Sequence, residues 1–276
     1  MLEILALPVF KRALAALLLS GVAYPAMGTF ILALELVPAR FAVMHASLLG
    51  AAIGLLIGFD PTISAIIAAF AAGIAVARMG ETAPKNDVSG GRAESASGAL
   101  GLVMALSLAF AFNIFHKGTV HAIEAFNLFW GNVLALRPLD LWLTAATCAA
   151  IVAFALLFFK EIRAVLYDRE LARSSGMPAR AIHYALMVVV CLGLGMAMRL
   201  TGALLADALT IIPALAARNL RRGLKATLAW GAVFGVASNL GGFGLALAFD
   251  LPTGPAIIVA ASIIAGATYI VGRRRA

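Results

Sequence analysis

Charge is scarce in this chain. Asp, Glu, Lys and Arg make up 12% of the 276 residues against 63% hydrophobic residues, and the mean hydropathy is +1.02. Soluble domains carry about a quarter charged residues, and a single aqueous core of this size cannot hide so much apolar surface. A soluble enzyme is thereby excluded. Cysteine is scarcer still: Cys148 and Cys191 both lie inside apolar runs, which suits small packing residues and not a disulfide or a thiolate metal site. The chain has no G-x-x-x-x-G-K-[ST] loop to cradle ATP phosphates. It also lacks the strictly alternating segments of about ten residues that a membrane barrel requires. No small-residue cleavage site follows the first apolar stretch, so that stretch reads as a retained membrane segment and not as a signal peptide.

What the chain has in abundance is continuous apolar sequence rich in Leu, Ala, Ile and Gly. Runs of roughly 20 such residues span a bilayer as helices, and the candidates are 13–34, 42–59, 62–77, 97–115, 139–159, 181–198, 202–217, 226–249 and 255–271. These predict an all-α polytopic bundle of eight or nine spans, forming one domain over residues 1–276. Residues 79–97 are polar, rich in Gly and Ser and without apolar period, and read as a mobile loop. Residues 116–138 mix Phe126, Phe129 and Trp130 with Asn127 and Asn132, the pattern of an interfacial or re-entrant half-helix.

Lys and Arg number 21 against 13 acidic residues, a net charge of +8. In a membrane chain such an excess marks cytoplasmic loops. Three clusters carry it: Lys160, Arg163, Arg169, Arg173 and Arg180; Arg218, Arg221, Arg222 and Lys225; and Arg273 to Arg275. They alternate with sparsely charged turns at 199–201 and 250–253, which puts the clusters and the C-terminus in the cytoplasm. Counting back through five further runs puts the N-terminus outside. Lys11 and Arg12 oppose that placement, so either the charge rule fails there or one run is not a full span.

Residues 165–178 form a short charged segment between two spans. Ala172 and Gly176, four residues apart, would let a short helix approach a partner closely. The segment resembles the cytoplasmic coupling helix of the zinc and manganese ABC-transporter permeases, the ABC-3 family, whose pattern of Asp, x, Glu, x, Ala, three residues and Gly is matched by Asp168, Glu170, Ala172 and Gly176. Gly202-Ala203-Leu204-Leu205, Ile211-Ile212-Pro213-Ala214 and Leu251-Pro252-Thr253-Gly254-Pro255 resemble later signatures of that family. Gly28-Thr29-Phe30 and His45-Ala46-Ser47-Leu48-Leu49-Gly50 resemble its N-terminal part. Together they cover nearly the whole chain in the family's order. The resemblance implies a bundle like that of the vitamin B12 importer permease, in a bacterial inner membrane. It implies a homodimer without enzymatic activity of its own, served by a separate cytoplasmic ATP-binding subunit and an extracytoplasmic metal-binding protein. The cargo it implies is a divalent transition metal, zinc first and manganese or iron second, with no permanently bound cofactor.

His45 lies inside a candidate span, and a neutral imidazole is an apt ligand for Zn(II), Mn(II) or Fe(II). The family commonly has an Asp one helical turn earlier, where this chain has Phe41. In the seventh run it usually has a small or hydroxyl residue where this chain has Asp207. A carboxylate at that depth costs about 2.5 to 3.5 kcal/mol. Two readings of Asp207 stand side by side: it replaces the missing carboxylate and faces the path near His45, or it pairs with Arg199 at the membrane surface. Pro213, as a helix break, would free the Leu209 carbonyl within a turn of Asp207. Glu35 reads as a solvated charge at a helix end, and Asn132 stands where an Asp is usual. His116, His121 and Glu124 read as a polar loop face more than as a metal relay. Gly50, Gly54 and Gly58, and Gly231 with Gly235, form small-residue ridges that permit close helix packing. The rival reading is a stand-alone proton-coupled carrier using His45 and Asp207, in which no ATPase would be needed.

Overall fold

In hydrocarbon every backbone N–H and C=O must be satisfied within the chain, so apolar runs of this length fold as helices. The computed structural model describes residues 7–82, 91–117, 133–220 and 223–273. The helices are α1 (Pro8–Ala33), α2 (Val37–Ile57), α3 (Pro61–Thr82), α4 (Gly91–Lys117), α5 (Pro138–Leu157), α6 (Phe159–Tyr167), α7 (Arg169–Ser174), α8 (Ala179–Thr201), α9 (Ala203–Arg218), α10 (Leu224–Phe249) and α11 (Thr253–Arg273), with one 3-10 turn at Val133–Ala135. Proline stands at the start of α1, α2 and α5, where its fixed φ suits the first turn and its missing N–H costs nothing.

The expected span count needs correction. Seven described helices, namely α1, α2, α5, α8, α10, α11 and the Gly98–His116 part of α4, are long and apolar enough to cross a membrane. The apolar parts of α3 and α9 are shorter, Pro61–Val76 and Leu209–Arg218. The expected loop is also shorter than its composition suggests. Helix α3 continues to Thr82 and α4 starts at Gly91, because extending an existing helix through Glu81 or Ala93 is easy once the helix is nucleated. Residues 83–90 lie outside the described residues, as do residues 118–132 of the expected half-helix.

Helix α1 is the axis of the bundle, packed against α5, α9 and α10. Its approach to α10 depends on glycine: a Cβ at Gly235 would fall on the Gly21 carbonyl, and one at Gly28 on the carbonyl of Thr210 in α9. Asn239 of α10, fully buried, donates to the Leu17 carbonyl at 2.7 Å and lies 3.3 Å from Ser20 Oγ. This polar contact fixes the register of two otherwise apolar helices. Gly50 and Gly54 likewise seat α2 on Ser64 and Ala68 of α3, whereas Gly58, at φ 74°, is the left-handed cap of α2. Both ridges therefore serve the interior of this bundle. Cys148 and Cys191 are buried and free, in the packing role expected.

These contacts fix the direction of α1. Leu17 meets Asn239 and Pro25 meets Gly231, so α1 runs antiparallel to α10. Ala33 ends beside Leu224, Arg218 and Tyr167 at the basic pole, and Pro8 starts at the opposite one. Arg12 stands there with Nη1 donating to the Leu136 carbonyl at 3.2 Å and Nε to the Pro8 carbonyl at 3.3 Å. With the basic pole cytoplasmic, the N-terminal end of α1 lies outside, and backbone carbonyls accept the Arg12 guanidinium, one of the two charges whose position breaks the rule. Glu35, exposed and at φ 56°, forms the turn from α1 to α2 at the cytoplasmic pole.

Candidate coupling segment and metal path

The segment between α5 and α8 is built by three local signals. Asp168 is the N-cap of α7, its Oδ1 accepting from the backbone N–H of Glu170 at 2.8 Å and Leu171 at 3.0 Å. This satisfies donors that a helix start leaves open. At the other end the Met177 N–H donates to the Ala172 carbonyl at 3.1 Å and the Gly176 N–H to the Arg173 carbonyl at 3.1 Å. With Gly176 at φ 78° this is a Schellman ending, which needs a residue without Cβ in the left-handed region. Ala172, only 3% exposed, packs inward with Ile162, Val165, Ala179 and Ile182.

The reading of Ala172 and Gly176 as a surface for close approach is therefore corrected. Ala172 docks α7 onto its own bundle, and Gly176 ends the helix. What faces outward is Asp168, Glu170, Leu171 and Arg173, with Tyr167 at 88% exposure beside them. The result is a capped one-and-a-half-turn helix standing on the cytoplasmic pole, apolar below and charged above.

His45 lies in α2, 9% exposed, with Nδ1 2.8 Å from the Phe41 carbonyl. A carbonyl only accepts, so in the neutral ring Nδ1 carries the hydrogen and Nε2 keeps its lone pair free for a ligand. The backbone of the residue that lacks the family's carboxylate thus orients the imidazole. The Phe41 ring is covered by the Arg40 guanidinium, 4.5 Å from its centroid, in a cation–π contact. Asp207 lies in the second turn of α9, and α9 reaches α2 at a few residues. The side chains of Asp207 and Arg199 are outside the described residues, as are His121, Glu124 and Asn132; His116 is exposed near the end of α4. Pro213 does not interrupt α9, which is helical from Ala203 to Arg218. Proline removes one N–H from the ladder without ending it. Among the described residues no group of three or more His, Cys, Asp or Glu side chains gathers to hold a metal.

One polar constellation escaped the sequence reading. Asp140 is fully buried at the outer pole, where Arg137 reaches it from Nη2 at 3.1 Å and Nε at 3.2 Å and the Thr62 hydroxyl donates at 3.1 Å. Arg137 Nη2 also meets Asp60 Oδ2 at 2.8 Å, and Asp60 Oδ1 caps α3 through the N–H of Thr62 and Ile63 at 2.9 and 3.3 Å. The network ties the starts of α3 and α5 together. Partial burial raises the Asp60 pKa, but the Arg137 hydrogen bond and the two backbone N–H groups outweigh it and hold the carboxyl below its ordinary 3.8. The Asp140 hydrogen bonds hold the Arg137 guanidinium even more firmly protonated than usual. The local signals were present in Asp60-Pro61-Thr62 and Arg137-Pro138-Leu139-Asp140, each a helix start with proline and a nearby acid.

Residues 6–271 match the ABC 3 transport family. The manganese transport system membrane protein MntC of Halalkalibacterium halodurans is 28% identical, over 95% of this chain and 87% of that protein. The high-affinity zinc uptake system membrane protein ZnuB of Haemophilus influenzae is 23% identical, over 92% and 94%. Among solved structures, PsaBC from Streptococcus pneumoniae in complex with Fab superposes with a TM-score of 0.83 at 26% identity, over 97% of this chain and 94% of that one. A helical bundle that crosses the bacterial membrane several times, a capped segment on its basic pole and a family match across nearly all its length lead to one conclusion: the chain belongs to the ABC 3 transport family.

Proposed function

We propose that this chain is the membrane permease of an ATP-binding-cassette importer for a divalent transition metal of the manganese and zinc class. It works as a homodimer with a cytoplasmic ATPase and an extracytoplasmic binding protein. The observation that carries the proposal is the α7 segment, a helix capped at both ends and held on the cytoplasmic pole by Ala172, with Asp168, Glu170 and Arg173 exposed on its surface. A chain without a phosphate-binding loop draws its energy from a subunit that has one, and a rigid short helix transmits that subunit's closure to the spans on either side.

Along the path, His45 offers Nε2, and Asp207 supplies the carboxylate that Phe41 cannot. Nitrogen donors suit zinc, whereas oxygen donors suit manganese. The His45 imidazole is the nitrogen donor of this proposed set, and on it zinc is put first as cargo, with manganese or iron second. The relatives named for manganese and for zinc bracket this choice. The test is uptake into proteoliposomes holding the chain with its ATPase and binding protein, offered zinc, manganese and iron in parallel. ATP-dependent uptake led by zinc is the expected result. Equal uptake without the ATPase would replace the importer with a proton-coupled carrier.

A further inference from the structure

Two cavities adjoin at the cytoplasmic pole, and neither is lined by His45 or Asp207 of the proposed metal path. The first, about 510 Å³, opens between α1, α6, α9 and α10, with Arg163 and Arg218 at its rim over a floor that includes Thr29, Ala214 and Thr227. The second, about 470 Å³, continues toward the bilayer interior between α1, α5 and α10. Its walls are apolar, Val22, Val152, Leu156 and Ala229 among them, and Lys225 stands at its cytoplasmic end. Leu224 lines the first cavity and Lys225 the second, so they are neighbours along one helix. Leu156 at 72% exposure and Val22 at 43% show that the second opens sideways and not into the core.

The chemistry of the pair is lopsided. Arg163, Arg218 and Lys225 are all exposed, and among the described residues no carboxylate stands within ion-pair distance of any of them. Arg163 and Arg218 therefore stand at the first hollow and Lys225 at the adjoining end of the second, at the depth where lipid headgroups lie, and an apolar groove of acyl-chain character descends from there into the membrane. The cytoplasmic leaflet supplies a ligand with both halves of that chemistry, and each Lys or Arg close to it attracts anionic headgroups.

We propose that the two cavities form a site for an anionic phospholipid of the inner leaflet. Its phosphate sits among Arg163, Arg218 and Lys225, and one acyl chain lies along Val22, Val152 and Leu156. The site lies against α6, the helix that leads into α7, so the bound lipid braces the base of the coupling segment. The alternative occupant of the first cavity is an acidic side chain of the ATPase. An apolar groove running on into the bilayer has no use for a cytoplasmic protein, which is why lipid is favoured. The proposal rests on the membrane placement of the chain and not on which metal it carries.

The test is native mass spectrometry of the permease–ATPase complex taken from nanodiscs of mixed phosphatidylglycerol and phosphatidylcholine. Retained phosphatidylglycerol is expected to exceed phosphatidylcholine and to fall about fivefold for each of Arg163→Gln, Arg218→Gln and Lys225→Gln, and about a hundredfold for the triple variant. Ala229→Phe, which fills the groove and leaves every charge in place, should lower retention as well. Equal retention of the two lipids, or a triple variant that sheds the ATPase while keeping its phosphatidylglycerol, would overturn the proposal; the second outcome would assign the arginines to the ATPase.

Discussion

At the residue scale, the outer-pole network and His45 are the groups whose removal has the clearest consequence. Arg137→Ala leaves the fully buried Asp140 without its cation and should destabilise the folded chain by about 3 kcal/mol, read as a lowered melting midpoint in detergent. Arg137→Lys restores the charge but not the two-pronged contact and should recover only part of the loss. The pH dependence follows from the sign of the Asp60 shift. Its folded pKa lies below the ordinary 3.8, so its contribution is fully present above that value and is lost as pH falls through the folded pKa. The stability difference between the native chain and Asp60→Asn should then be constant from pH 5 to pH 8. A difference that varies across that window would contradict the assignment. On the proposed metal path, His45→Ala should abolish uptake while leaving assembly with the ATPase intact, and Asp207→Asn should sharply reduce it. Normal uptake by the Asp207 variant would remove that residue from the path. Phe41→Asp adds an oxygen donor one turn from His45 and should move the cargo preference toward manganese in side-by-side uptake.

At the element scale, the two ends of α7 explain why its sequence pattern takes the form it does. Asp168 caps, Ala172 anchors and Gly176 turns the chain at φ 78°, so three of the four motif residues build the helix and Glu170 remains to be presented. Gly176→Ala forces a Cβ into the left-handed region at about 1 kcal/mol, and Asp168→Ala removes a cap at about the same cost. Both should weaken co-purification of the ATPase without changing the helical content or the monodispersity of the permease. Gly28→Ala acts differently. Its Cβ falls on the Thr210 carbonyl, so α1 and α9 must separate, and the variant should lose thermal stability together with transport.

This is also the scale at which legibility in the sequence can be judged. The short helix α7 was readable because caps and turns are local: Asp168 and Gly176 act on neighbours within five residues. The inward direction of Ala172 was not, since it depends on Ile162 and Ile182 meeting in space. The Asp60–Arg137 pair was hidden for the same reason, its partners lying 77 residues apart. The apolar runs located every membrane helix, but hydropathy alone did not separate the seven long spans from the shorter apolar parts of α3 and α9, because apolar character does not reveal where a helix stops.

At the scale of the whole molecule, the account is one of polarity between two ends. Basic residues, the capped α7 and both cavities gather at the pole shared with the end of α1, while the Asp60–Arg137–Asp140 network fastens the other. A bundle whose axis helix is packed by glycine contacts along much of its length moves as rigid bodies more easily than it deforms. Under the proposed function, force applied at α7 is carried through α6 and α8 into the spans. The most direct test of this account is zinc uptake by proteoliposomes of the permease with its ATPase and binding protein, with ATP supplied or withheld, in native and Gly176→Ala form. Uptake that requires ATP and falls in the variant, whose fold is unchanged, is the predicted result. Undiminished uptake without ATP or without the ATPase would contradict it.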